Sequence, residues 1–277
     1  MRPLFAALVS LAVTAPLSAA DVDEFVKQAR AALKAGDVES ALAAARKAVE
    51  VDPKAPAGHF LIGEALAARR KHPEAIAAYT RALELDPKYL IAADRRGGEK
   101  FKLGQIQESI DDFNAYLKAN PKAEPAHWRR GISFYYAGKY AEGTKQFDDG
   151  RVEFGADVEN VFWHYLCNAR KDGVEAARKN LLALTGRDTR VPFMRVYDLL
   201  EGKAKPADVI ETARKADLPA DAKTEALFYA HLYVGLYYEA QGDEAKCQEH
   251  MAQAVDRKIG HYMWDVANVH LARLTKK

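Results

Sequence analysis

The sequence is poor in the residues that most often announce chemistry. It holds two cysteines, Cys167 and Cys247, in 277 residues, which excludes a disulfide-dense scaffold and a thiolate metal cluster. They stand far apart in the repeat register described below. A bridge, which needs Cα atoms within ~7 Å, is therefore not expected, and buried free thiols acting as small apolar residues are. Beyond residue 20 the only serines are Ser40, Ser109 and Ser133, and Gly131-Ile132-Ser133 lacks the second glycine of a nucleophile elbow. HExxH and CxxC are absent, and Cys247 with His250 makes only two ligands. Arg95-Arg96-Gly97-Gly98 lacks the lysine and remaining glycine of a phosphate loop. Charge is not one-sided: 41 Lys and Arg face 39 Asp and Glu, which argues against a dedicated nucleic-acid or anionic-membrane binder. No catalytic residue, cofactor or metal ligand can be nominated, and an enzyme is the least expected class.

What is present begins with the first twenty residues, MRPLFAALVSLAVTAPLSAA. One early cation, Arg2, precedes an apolar run from Leu4 to Val13, too short for the ~20 residues of a transmembrane helix. Ser18 and Ala20 fit the small-residue rule for signal-peptidase cleavage. Residues 1–20 are expected to be a signal peptide and the mature chain to start at Asp21; retention as an uncleaved anchor is the alternative. No cysteine lies near the cleavage point, so a lipoprotein signal is not expected. The mature protein is expected to be exported, periplasmic or secreted, and soluble, with no stable membrane insertion.

The remainder is rich in alanine, leucine, lysine and glutamate, a composition that favours helix, and it repeats. Pro53, Pro87 and Pro121 recur at a 34-residue interval, each closing a similar phrase: ALAAARKAVEVDP, AIAAYTRALELDP, SIDDFNAYLKANP. Gly63, Gly97 and Gly131 follow the same register, as do Ala41, Ala75 and Ser109. This is the tetratricopeptide pattern. Small residues stand where the two helices of a pair approach, larger ones fill the space between, and proline stops the second helix. The predicted fold is all-α: a right-handed superhelical solenoid of antiparallel helix pairs. Regular repeats are expected over 22–55, 56–89, 90–123 and 124–157, degenerate pairs over 158–190 and 191–219, and a good repeat over 223–260 with Gly235 at its packing position. A closing helix over 261–275 is expected to cap the last apolar face. His127 falls where His59 falls two repeats earlier, a structural position.

Beyond the repeat itself, the order of elements resembles exported tetratricopeptide proteins related to the lipoprotein NlpI. The similar segments are GISFYYAG, LLEGKAKPADVI and HLYVGLYYEAQGD. The resemblance implies an envelope adaptor that docks partner enzymes, proteases and peptidoglycan hydrolases among them, without doing chemistry. The chain departs from that group in lacking a lipidation cysteine.

Solenoids of this kind bind peptides on a concave face formed by the first helices. The register places Arg30, Phe60, Glu64, Asp94, Phe101, Trp128, Tyr135 and Phe162 there as candidate contacts for a protein or peptide partner, with an aromatic centre. The competing reading is that these rings only pack neighbouring helices. Self-association through the apolar segment HYMWDVANVHLARL, giving a homodimer, and carbohydrate binding by stacked aromatics are the alternative functions.

Overall fold

The computed structural model describes residues 19–275. Residues 1–18, most of the stretch read as a signal peptide, lie outside the described residues. Among the described residues there are helices and turns and no strand. Four regular pairs come first: α1 (Ala19–Lys34) with α2 (Val38–Val51), α3 (Pro56–Ala68) with α4 (His72–Leu85), α5 (Ile91–Lys102) with α6 (Ile106–Ala119), and α7 (Trp128–Tyr136) with α8 (Tyr140–Asp149). The short α9 (Arg151–Phe154) leads to α10 (Val158–Asp172) and α11 (Val174–Lys179), then α12 (Phe193–Leu200) and α13 (Pro206–Lys215). The chain ends in α14 (Ala220–Ala240), α15 (Glu244–Val255) and α16 (Tyr262–Thr275). From α1 to α8 each helix packs on its neighbours in sequence, and beyond them α10 packs on α8, α11 and α12, which makes a solenoid of antiparallel helix pairs.

The sequence pattern has local physical causes. Asp37 caps α2, its carboxylate accepting from the Ser40 amide at 3.0 Å. Asp52 ends α2 and Asp86 ends α4; each carboxylate accepts from the amide two residues on, Lys54 and Lys88, at 2.9 Å. The proline that follows each cannot continue the helix. Within a pair, glycine on the first helix admits an aromatic ring from the second. A Cβ at Gly63, Gly97 or Gly131 would lie 2.5, 2.9 or 2.6 Å from the rings of Tyr79, Phe113 or Phe147. The chain reverses between the helices of a pair through a residue with positive φ: Gly36, Gly104, Gly138 and Gly242, but Arg70 in the second pair, at φ 58°.

Two departures matter for the site. The degenerate helix pair expected over 158–190 stops short, since α11 ends at Lys179 and residues 180–190 are not helical. The segment after α11 folds back onto the start of α10, where the Thr185 amide donates to the Gly155 carbonyl at 2.8 Å and Asp188 accepts from the Val158 amide at 3.2 Å. These bonds replace the helical ones. The second departure is α16. It packs on α15 as a closing helix would, and it also reaches back to α5. The long α14 is apolar around its circumference and buried from Phe228 to Leu236, as such a helix must be.

Candidate functional site

The groove candidates divide by what covers them. Arg30 is exposed, while Glu64 and Trp128 are half-buried. Phe60 packs against Tyr79 and Tyr89 at ring distances of 5.8 and 5.4 Å. Phe101, Tyr135 and Phe162 are buried, in place of the open aromatic floor expected of them. Their cover is the chain's own C-terminal part. Tyr262 of α16 stacks on Phe101 at 5.6 Å and meets Trp128 edge-on at 5.3 Å. The Tyr135 hydroxyl donates to Glu239 of α14, and Phe162 lies 4.6 Å from Tyr233 of the same helix. The fold thus brings Phe101, Trp128 and Tyr135 together and lays α14 and α16 over them. The apolar side of α16 expected to dimerise is used in the same way: Met263, Val266, Ala267 and Val269 are buried within the chain.

The α16 latch is polar as well as apolar. Arg70 pairs with Asp265 and its guanidinium lies 4.5 Å from the centre of the Trp264 ring. Tyr136 and His270 Nδ1 are hydrogen-bonded at 3.0 Å.

Asp94, placed in the groove by its register, is 2% exposed and serves as a junction between α5 and α7. Nδ1 of His127 accepts from the Arg130 amide, so Nε2 carries the proton and donates to Asp94 at 2.8 Å. Arg129 donates to both carboxylate oxygens at 2.8 Å and Arg95 adds a second cation. Burial pushes this carboxyl up, but the His127 hydrogen bond and the Arg129 charge outweigh it and bring it down to about 2. Neither Arg129 nor His127 is among the groove candidates of the register. The available signal was that Trp128 occupies the register position of Asp94 one repeat on, so its two neighbours straddle the carboxylate.

Next to Trp128 is a cleft of about 220 Å³. Trp128, Phe147, Trp163 and Met263 supply its apolar walls, and Asp157, Glu159, Asn160, Arg190 and His261 its polar ones. Arg190, from the segment that left the helical register, donates to Asp157 at 2.8 Å, Glu159 at 2.7 Å and Asp188 at 2.6 Å. Burial lifts the Glu159 carboxyl to about 7 even with Arg190 and the Tyr233 hydroxyl bound to it. Trp163 is 2% exposed, and its indole N–H has no hydrogen-bond partner among the described residues. Of these groups the sequence reading had nominated only Trp128. The others converge from α8, α10, α16 and an irregular segment, and no spacing rule links them.

The residues a nucleophile would come from are placed for packing. Ser109 and Ser133 are fully buried and hydrogen-bonded to one another at 3.2 Å. Both cysteines are free and buried. Burial raises both thiols, Cys247 to about 12, which disfavours the reactive thiolate.

Residues 26–89 match the tetratricopeptide-repeat family model. The whole fold is similar to solved structures. A tetratricopeptide repeat protein from Parabacteroides merdae aligns over 93% of this chain and 100% of its own, at TM-score 0.59 and 19% identity. MamA from residue 41 onward, from Desulfovibrio magneticus RS-1, aligns over 72% of this chain and 98% of its own, at 0.53 and 17%. PilF of Pseudomonas aeruginosa aligns over 91% and 98%, at 0.51 and 14%. At these identities the likeness is one of fold. Among the described residues no helix is long and apolar enough to cross a membrane. The repeat register, the helix pairs and these likenesses together show a tetratricopeptide-repeat solenoid fold, with the family's repeat matched over residues 26–89.

Proposed function

We propose that this chain is an exported, non-enzymatic adaptor that docks a protein or peptide partner, an envelope protease or peptidoglycan hydrolase being the class implied by its resemblance. The observation that carries the reading is Trp128. It is a large aromatic left half-buried at the edge of a cleft with both apolar and charged walls, and the repeat register assigns it to the peptide-binding side of such solenoids. Half-buried aromatics beside pockets are where interface energy concentrates. Arg30 and Glu64, farther along the first helices, extend the contact surface. Export rests on the sequence of residues 1–20. The buried, raised thiols and mutually bonded serines support a binding role over a catalytic one.

The test is photo-crosslinking from Val152, which is 83% exposed on α9 two residues before the cleft-lining Phe154. The crosslinker is introduced into the full-length chain in its own cells. The expected result is one dominant adduct with an envelope enzyme, lost in Trp128→Ala while the helical circular dichroism of the variant is unchanged. Adducts with this chain alone, or an adduct indifferent to Trp128, would overturn the reading. An adduct confined to cytoplasmic proteins would overturn export.

A further inference from the structure

We infer that the cleft beside Trp128 is a receptor for a basic side chain, the lysine or arginine of a partner peptide; this rests on the adaptor reading and gives it a specificity determinant. The first ground is charge. Asp157, Glu159 and Asp188 share a single guanidinium, that of Arg190. The N-terminus of α10 adds about half a positive charge. Burial keeps His261 on the neutral side. The sum is negative by more than one charge with all three carboxylates ionised, and still negative with one protonated. Arg190 already donates to all three carboxylates, so the cleft has no free cation with which to receive an anionic ligand.

The second ground is shape and surface. Trp128 is the half-buried aromatic of the cleft, and Phe147 and Trp163, almost wholly buried and stacked on one another at 6.4 Å, complete its apolar lining. Such a lining suits both the alkyl stem of a long basic side chain and its charged head. The volume of about 220 Å³ falls below the ~300–1,000 Å³ of pockets for drug-sized ligands and suits one side chain. The third ground is the unpaired N–H of Trp163, buried in a cleft wall. A buried donor without an acceptor is uncommon in folded proteins. The Arg190 network by itself is explained as a staple between residues 188–190 and α10. That role accounts for neither the aromatic walls nor the unpaired indole.

The experiment is calorimetric titration of the full-length chain with capped alanine pentapeptides whose central residue is lysine, arginine, norleucine or glutamate, and with 1,4-diaminobutane. The lysine or arginine peptide is expected to bind, and the norleucine and glutamate peptides are not. Glu159→Gln keeps an acceptor for Tyr233 and removes one charge. It is expected to weaken the basic peptide by about tenfold or more, the loss of one charge-assisted contact, with the helical circular dichroism of the variant unchanged. If Glu159→Gln does not fold, Asp157→Asn carries the same test. Norleucine binding as tightly as lysine, binding of the glutamate peptide, or no binding of either basic peptide to the folded chain would each overturn the inference. Diaminobutane binding without either basic peptide would overturn the peptide as the source of the cation. A Val152 adduct that survives Glu159→Gln would leave the adaptor standing and remove the basic-residue pocket from it. Basic peptides that bind while no adduct forms would do the reverse.

Discussion

In the first two helix pairs and the start of α5 the interior is mostly alanine. Ala29, Ala45, Ala48, Ala75, Ala82 and Ala92 are buried there around Phe60, Leu61 and Tyr79. From Phe101 onward it is aromatic and aliphatic, with Phe147, Phe162, Trp163, Phe193, Phe228 and Tyr233 in one continuous cluster. The partners differ as much as the residues. In the first part they lie in the same pair or the next, as Tyr79 lies under Gly63 and bonds Glu64. In the second part they cross the chain: Tyr135 with Glu239, Tyr136 with His270, Tyr233 with Glu159. A solenoid held only by neighbours behaves as a one-dimensional array. This chain is such an array at its start and a closed globular unit at its end. Both the covered groove and the cleft belong to the closed unit, because long-range contacts alone bring α7, α10 and α16 to one place.

The hardest test of that contrast is to open a hole in each part. Phe162 is fully buried against Tyr233, and Phe162→Ala is expected to cost about 3–5 kcal/mol. Its effect should reach every element of the closed unit, so urea unfolding followed by hydrogen exchange should show α7 to α16 losing protection together. Leu42, packed among Ala41 and Ala65, sits in the array. Leu42→Ala is expected near the low end, about 2 kcal/mol, with the loss of protection confined to α1, α2 and α3. Loss of protection across all helices in both variants would mean that the molecule is one cooperative unit.

Acid should separate the two parts more gently. His164, His231, His250, His261 and His270, all beyond residue 150, are held below their ordinary value of 6.5 by burial, His164 at about 4 and His231 at about 3. Between pH 6.5 and about 4 the unfolded chain binds protons that these residues refuse. The stability of the closed unit therefore falls as pH drops through that window. Glu159 runs the other way. Its carboxyl is lifted to about 7 from 4.5, so protonation from pH 7 downward favours the fold and offsets part of the loss. Asp94, at about 2 against 3.8, loses its contribution only below pH 3.8. Thermal unfolding at pH 5 should show the closed unit melting earlier than at pH 7.5, with α1 to α4 little changed. An equal shift in both parts would refute the assignment of the effect to buried histidines.

How far the sequence foretold all this follows the same division. The 34-residue register of proline, glycine and small residues specified the all-α solenoid, since each position is set by steric contact within one pair or with the next. The groove candidates followed from the same register, and it is there that prediction by register stopped. It assigns Phe101, Tyr135 and Phe162 a direction but holds no information on α14 and α16 returning over them. The cleft was less legible still. Glu159 and Trp163 lie in a helix that repeats nothing, and Arg190 lies in a segment read as helical. The polar junction at Asp94 sits between these cases, being local in space and readable from neighbours in register once main-chain capping by His127 is considered.

Arg70 links the two parts, and the smallest expected effect is the most discriminating. Gly36, Gly104 and Gly138 stand at its register position with φ between 74° and 76°, while Arg70 holds φ 58° with a side chain. That conformation costs a residue other than glycine about 1–2 kcal/mol. The compensating contact is to α16, through Asp265 and the face of Trp264, and because the guanidinium is about half exposed it is worth no more than about 1 kcal/mol. Arg70→Gly therefore relieves strain and removes the latch at once, and the two nearly cancel in global stability, to within about 1 kcal/mol. They do not cancel locally. Relief acts on the turn between α3 and α4, whereas loss of the latch acts on α16. Hydrogen exchange should accordingly show faster opening of α16 with an unchanged urea midpoint, and access for a partner to Phe101 and Trp128 should rise with it. A variant that is more stable throughout, with α16 as protected as before, would show that the Arg70 side chain holds nothing and that α16 is kept in place by Tyr262, Val266 and His270 alone.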